Sequence, residues 1–138
     1  MSSARKRKQP VIMIADHDEE ERGLLRAILK LIGFQVVEAW DGHQAIRLAQ
    51  RESPDLLVVD LTLPRLGGRE GLDKIRSLSD RPTLPIVAVS PDRVDYQSSG
   101  SKTVFLLKPI EYEQLYALLA RFLPRHNTIT TRLKCLPL

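Results

Sequence analysis

The chain has 138 residues, 43% of them hydrophobic and 28% charged, with a formal net charge of +4. That is enough for one domain with a real core. No apolar run approaches the ~18 residues of a membrane span, and no apolar stretch of signal-peptide length follows the charged amino terminus, so membrane insertion and secretion are not expected. The single cysteine, Cys135, can close no internal disulfide and has no partner at zinc-ligand spacing, which fits a cytoplasmic location. Arg5, Lys6, Arg7 and Lys8 carry as much positive charge as the whole chain's excess. The basic character therefore belongs to a leader, residues 1–10, whose expected contact with nucleic acid is nonspecific.

Taken in chain order, residues 11–15 form a continuous apolar run, as in a strand buried on both faces. Residues 19–32 have helical periodicity, with Leu24, Leu25, Ile28, Leu29 and Ile32 inward. Glu19, Glu20 and Glu21 suit the positive end of the helix dipole, and Gly33 supplies the stop. Residues 35–39 form a β-branched strand closed by the turn pair Asp41-Gly42. A short helix over 43–51 carries Ala45, Ile46 and Ala49 on one side.

Residues 56–59 are the most apolar strand and end at Asp60. Pro64 and Gly67-Gly68 mark a loop, and 69–78 is a helix with Leu72, Ile75 and Leu78 inward. Residues 86–89 form a strand ending at Ser90. The polar segment 92–102 is poorly patterned, so a helix there is expected to be short or irregular. Residues 104–107 form the last strand, ending at Lys108-Pro109. A closing helix over 111–122 presents Leu115, Leu118, Leu119 and Phe122. The expected organisation is a leader over 1–10, one domain over 11–124 and a tail over 125–138.

Five short apolar strands alternating with helices imply a parallel sheet covered on both faces. Ligands of such sheets lie beyond the carboxyl ends of the strands, where the strand order switches. Four strands deliver Asp16, Asp60, Ser90 and Lys108 to that rim. Two carboxylates supply oxygen ligands for a hard cation such as Mg²⁺. A carboxylate can also attack a phosphoryl group, while a lysine and a hydroxyl contact its oxygens. Phosphoryl transfer is mostly positioning and charge neutralisation, so a set this small suffices in principle.

The segment PDLLVVDLTLPRLGG resembles the strand and loop around the phosphoacceptor of response-regulator receiver domains. EAWDGHQAI is similar to their second strand and second helix, and FLLKPIEYEQL to the lysine-proline segment before their last helix. The resemblance runs from about Val11 to Leu123. It implies a flavodoxin-like, doubly wound sheet of order 2-1-3-4-5, an order for which a member of this family is a standard example. It also implies that Asp60 is the phosphoacceptor and that Asp16 is the first of an acidic pair holding Mg²⁺. By the same resemblance the Thr62 backbone carbonyl completes the metal shell, Ser90 is the switch hydroxyl, Lys108 contacts the phosphoryl group and Phe105 is the aromatic switch residue.

Three features depart from the family pattern. His17 stands where the second acidic residue belongs. Imidazole suits Mg²⁺ poorly and Mn²⁺ better, so His17 and Asp18 are alternative candidates for the remaining ligand; read alone, His17 is an exposed loop histidine. Pro91 follows Ser90 and lacks the backbone N–H that in the family helps bind phosphoryl oxygens. Finally, Ser90 and Lys108 lie closer together in sequence than is usual, with the shortfall in 92–102, so the output face is expected to be reshaped.

Two functions follow as expectations. One is a receiver that takes a phosphoryl group on Asp60 from a sensor histidine kinase or a histidine phosphotransfer protein and signals through altered binding of a downstream protein. Its chemistry would extend at most to self-phosphorylation and autodephosphorylation, and a weak homodimer is compatible with it. The other is a receiver-like interaction module that is not phosphorylated. A haloacid-dehalogenase-type phosphatase is disfavoured because Thr62 stands where its second aspartate belongs. No DNA-binding output is expected from these residues alone.

Overall fold

The computed structural model describes residues 9–79, 81–93 and 102–123. The elements run β1 (Val11–Ala15), α1 (Glu19–Ile32), β2 (Gln35–Ala39), α2 (Gly42–Glu52), β3 (Leu56–Asp60), α3 (Gly68–Leu78), β4 (Ile86–Ser90), β5 (Thr103–Leu107) and α4 (Tyr112–Phe122). The five strands form one parallel sheet of order β2-β1-β3-β4-β5, the flavodoxin-like arrangement. The basic leader up to residue 8, the tail with Cys135, and most of the segment expected to form an irregular helix (residues 94–101) lie outside the described residues.

Alternation along the central strands builds two cores. Met13, Ala15, Leu57, Val59, Ile86 and Ala88 pack on one side with Ala45, Leu48 and Ala49 of α2 and Leu72 and Ile75 of α3. Ile12, Ile14, Leu56, Val58, Val87 and Val89 face the other side, against Leu25, Leu29 and Ile32 of α1 and Leu115 and Leu119 of α4. Because both faces are covered, β1, β3 and β4 are buried at every position. This is why they read as unbroken apolar runs rather than alternating ones.

Two inward assignments are corrected. Leu24 is 56% exposed and Leu78 is 41% exposed. Leu25, Leu29 and Ile32 already fill the face of α1 that meets the sheet. Leu24 is one residue, or about 100° of helix, away from that row. Leu78 is the last residue of α3, whose buried positions are Gly71, Leu72 and Ile75.

The starts of α1 and α2 are set by side-chain caps. Asp18 accepts from Glu21 N at 3.1 Å, and Asp41 accepts from Gln44 N at 2.8 Å. Each satisfies an N–H that the first helical turn leaves without a partner. Asp41-Gly42 is thus a helix start as well as a turn. A side chain at Gly42 would collide with the Arg65 carbonyl, and Gly42 N donates to Pro64 O at 2.7 Å. The close approach pins the loop after β3 against α2.

Glu38 on β2 ties that edge strand to α1 by accepting from Arg22 Nε at 3.0 Å and from Arg26 Nη1 at 2.9 Å. Burial pushes the Glu38 carboxyl up, but the two guanidinium groups outweigh it and hold the group below its ordinary range. A carboxylate with a depressed folded-state pKa stabilises the fold above its unfolded pKa, and the contribution is lost as pH falls through the folded value. Glu38→Gln is therefore expected to cost about 1 kcal/mol at neutral pH, discounted for the partial exposure of the cluster. The deficit against wild type should vanish in acid, as read by denaturant unfolding at a series of pH values.

Candidate functional site

The carboxyl ends of β1, β3, β4 and β5 meet at one rim. Asp60 is the last residue of β3 and is 3% exposed. Burying a carboxylate requires partners, and both of its oxygens have them. Oδ1 accepts from Thr62 N at 2.8 Å and from Thr62 Oγ1 at 2.6 Å. Oδ2 accepts from Lys108 Nζ at 2.6 Å. Burial raises the Asp60 pKa, yet the Lys108 ammonium and the two Thr62 bonds win, and the group is held below the usual carboxylate value. It is ionised at neutral pH and can act as a nucleophile.

Asp16 follows β1 directly, and its Oδ2 lies 3.9 Å from Lys108 Nζ. Burial, with the neighbouring Asp60 charge and Glu21 adding to it, raises its pKa despite Lys108 and the Asp18 amide. Asp16, His17 and Asp60 each bring one ligand atom to within 4.8 Å of the others, and this donor set fits a divalent cation. His17 itself is exposed, with Nδ1 3.8 Å from Asp16 Oδ1. Asp18 is placed differently: its carboxylate caps α1 and its amide donates to Asp16 Oδ1 at 2.8 Å. Asp18 is therefore not part of the cluster.

Ser90 ends β4 and is buried. Its carbonyl accepts from Lys108 N at 2.7 Å, which ties the two strand ends together, and its Oγ accepts from Asp92 N at 3.2 Å. Asp60 pairs in register with Val89 and Ser90 with Leu107, so the Asp60 carboxylate and the Ser90 hydroxyl end neighbouring strands and Lys108 directly follows the next one. Phe105 is partly buried and packs against the core on the α2–α3 side.

Lys108 is held more firmly than its sequence position suggests. Burial lowers its pKa, but hydrogen bonds to Asp60 and Glu21 overcome this and raise it well above the ordinary lysine value. The Glu21 bond, Oε2 to Nζ at 2.6 Å, is a feature that strand-end reasoning missed. Glu21 lies in the first turn of a helix, where an acidic residue is accounted for by the dipole alone. Lys108 and Glu21 also border an open cleft of about 270 Å³, walled by Leu24, Ile110 and Tyr112.

Among the described residues no helix is long and apolar enough to cross a membrane. The family model for the response regulator receiver domain matches residues 12–120. Among named relatives, a "probable transcriptional regulator ycf27" of Porphyridium aerugineum is 32% identical over 83% of this chain and 48% of its own length. Its counterpart in Guillardia theta is 31% identical over 84% of this chain and 46% of its own. The chain thus spans about half the length of these relatives.

Among solved structures, a two-component response regulator from Clostridium difficile superposes with a TM-score of 0.74 at 30% identity, covering 86% of this chain and 99% of that one. The receiver domain of a sensor histidine kinase from Pseudomonas aeruginosa, solved with a magnesium ion in its active-site cleft, gives a TM-score of 0.73 at 25% identity, covering 84% and 98%. With the strand order and the rim of Asp16, Asp60, Ser90 and Lys108 already in place, the match over most of the fold means that this chain belongs to the response regulator receiver domain family.

Proposed function

We propose that the domain accepts a phosphoryl group on Asp60 and signals by changing which protein it binds. The observation that carries this reading is the Asp60 carboxylate: buried, ionised, and held at both oxygens by Thr62 and Lys108. One carboxylate oxygen attacks phosphorus, the P–N bond of a phosphohistidine donor breaks, and the imidazole leaves with the bond's electron pair. The donor is a sensor histidine kinase or a histidine phosphotransfer protein. Lys108 offers its ammonium to the phosphoryl oxygens, and Ser90 offers a hydroxyl.

Asp16, Asp60 and the Thr62 backbone carbonyl would hold Mg²⁺, with His17 beside them. The ion's contribution is to neutralise phosphoryl charge. His17 makes Mn²⁺ a better competitor than it is at an all-oxygen site. The direct test is incubation with a small phosphodonor and Mg²⁺ followed by intact-mass measurement. A mass gain of one phosphoryl group supports the reading, and no gain at any donor concentration overturns it.

Pro91 and His17 support a second reading, an interaction module that keeps the fold without being phosphorylated. At Pro91 the chain has no N–H for a phosphoryl oxygen, and the nearby Asp92 amide is engaged with Ser90 Oγ. A hydrogen bond to a charged group contributes ~1.5–3 kcal/mol, and a population shift can be no larger than the differential binding that drives it. Pro91→Ala is accordingly expected to enlarge the NMR shift changes at Phe105 and Lys108 on adding beryllofluoride. A full response in wild type that Pro91→Ala does not increase would show that the missing donor is immaterial.

A further inference from the structure

We propose that Glu21 is a positioning residue that holds Lys108 in competition with the phosphoryl group, and so slows phosphorylation of Asp60. The inference rests on the reading of Asp60 as the phosphoacceptor, and deepens it.

The local sequence explains why Glu21 is available. Asp18 caps α1, so Glu21 is the third residue of the first turn. A glutamate there can fold back onto the backbone N–H of the capping residue, as in a capping box. In this chain that N–H is already taken, because Asp18 N donates to Asp16 Oδ1 at 2.8 Å. The Glu21 side chain instead reaches across to the end of β5 and accepts from Lys108 Nζ at 2.6 Å.

The consequence lies in how the ammonium is shared. A lysine has three N–H donors. One goes to Asp60 Oδ2 and a second to Glu21 Oε2, both at 2.6 Å, while Asp16 Oδ2 lies farther away at 3.9 Å. Asp60 is fully enclosed, whereas the Glu21 side chain is 50% exposed. Glu21 is thus the partner that can let go. A phosphoryl group arriving at Asp60 competes with Glu21 for the Lys108 ammonium, and it meets a second negative charge hydrogen-bonded to that ammonium. Glu21 both withholds the cation and repels the incoming anion.

Glu21→Gln keeps the side-chain length and removes the charge. Two measurements follow: the labelling rate at Asp60 with a small dianionic phosphodonor and Mg²⁺, and the affinity for inorganic phosphate read from the Lys108 ammonium resonance. Both should rise about fivefold at low salt, the scale of one partly exposed ion pair. The gain should shrink as ionic strength rises, because Glu21 is on the solvent side. A structural effect on the start of α1 alone would show no such salt dependence. Equal rates and equal phosphate affinity in the two proteins overturn the inference, as does slower labelling of Glu21→Gln. If neither protein is labelled, the phosphoacceptor reading falls, and the phosphate titration still decides whether Glu21 competes for Lys108.

Discussion

Asp60→Asn is expected to take up no phosphoryl group from a small phosphodonor under conditions that label the wild type. The amide has no ionised oxygen to attack phosphorus, and no other carboxylate on the rim replaces it. Asp16 has its pKa raised, chiefly by burial, and in the proposed reading it would serve a cation. Asp60 is the one whose pKa is lowered, burial being outweighed by Lys108 and Thr62. The expected loss is complete within detection by intact mass. The variant should still fold, because Lys108 keeps Glu21 as a partner at 2.6 Å and asparagine is nearly the same size as aspartate. Circular dichroism alongside the labelling separates loss of the acceptor from loss of the fold. Equal labelling of variant and wild type would place the acceptor elsewhere and refute the assignment.

His17→Asp is expected to tighten Mg²⁺ binding by about tenfold. The substitution brings a hard oxygen and a negative charge to a position already within reach of the Asp16 and Asp60 ligand atoms. At an effective dielectric near 20, a unit charge a few Å from a cation is worth several kcal/mol. Exposure of His17, whose side chain is 51% accessible, reduces that to roughly 1.4 kcal/mol, or one order of magnitude. Mn²⁺ should gain less, because it loses an imidazole ligand that suits it. Without metal the variant adds a third carboxylate beside Asp16 and Asp60, so it should unfold more readily than wild type and recover on adding Mg²⁺. The measurement is a metal titration of both proteins; an unchanged Mg²⁺ affinity would mean that the side chain at position 17 points away from the ion.

The order and type of the elements were legible in the residues because a parallel sheet covered on both faces leaves a strong signal. Residues 11–15, 56–59 and 86–89 are unbroken apolar runs, and each is followed by a polar residue where the strand emerges at the rim. Asp60 and Ser90 are the last residues of their strands, where the apolar runs were expected to end. Asp16, Asp60, Ser90 and Lys108 could be placed at one edge from this pattern alone, because parallel strands put all their carboxyl ends on the same side.

Contacts between distant segments were decided only by the tertiary structure. Periodicity places Leu24 on the apolar side of α1, but which flank of a helix meets the sheet depends on how it packs, and Leu25, Leu29 and Ile32 took that role. Asp18 and His17 are close neighbours of Asp16 and equal candidates on spacing. The start of α1 separated them by using Asp18 as its cap and leaving His17 beside the two carboxylates. Thr62 was assigned a role through its carbonyl, while its amide and hydroxyl both turn back onto Asp60. The Glu21–Lys108 pair joins residues far apart in the chain. A helix-starting glutamate and a strand-ending lysine each have a sufficient local explanation, so only the packing of α1 against the end of β5 reveals that Glu21 and Asp60 share one ammonium.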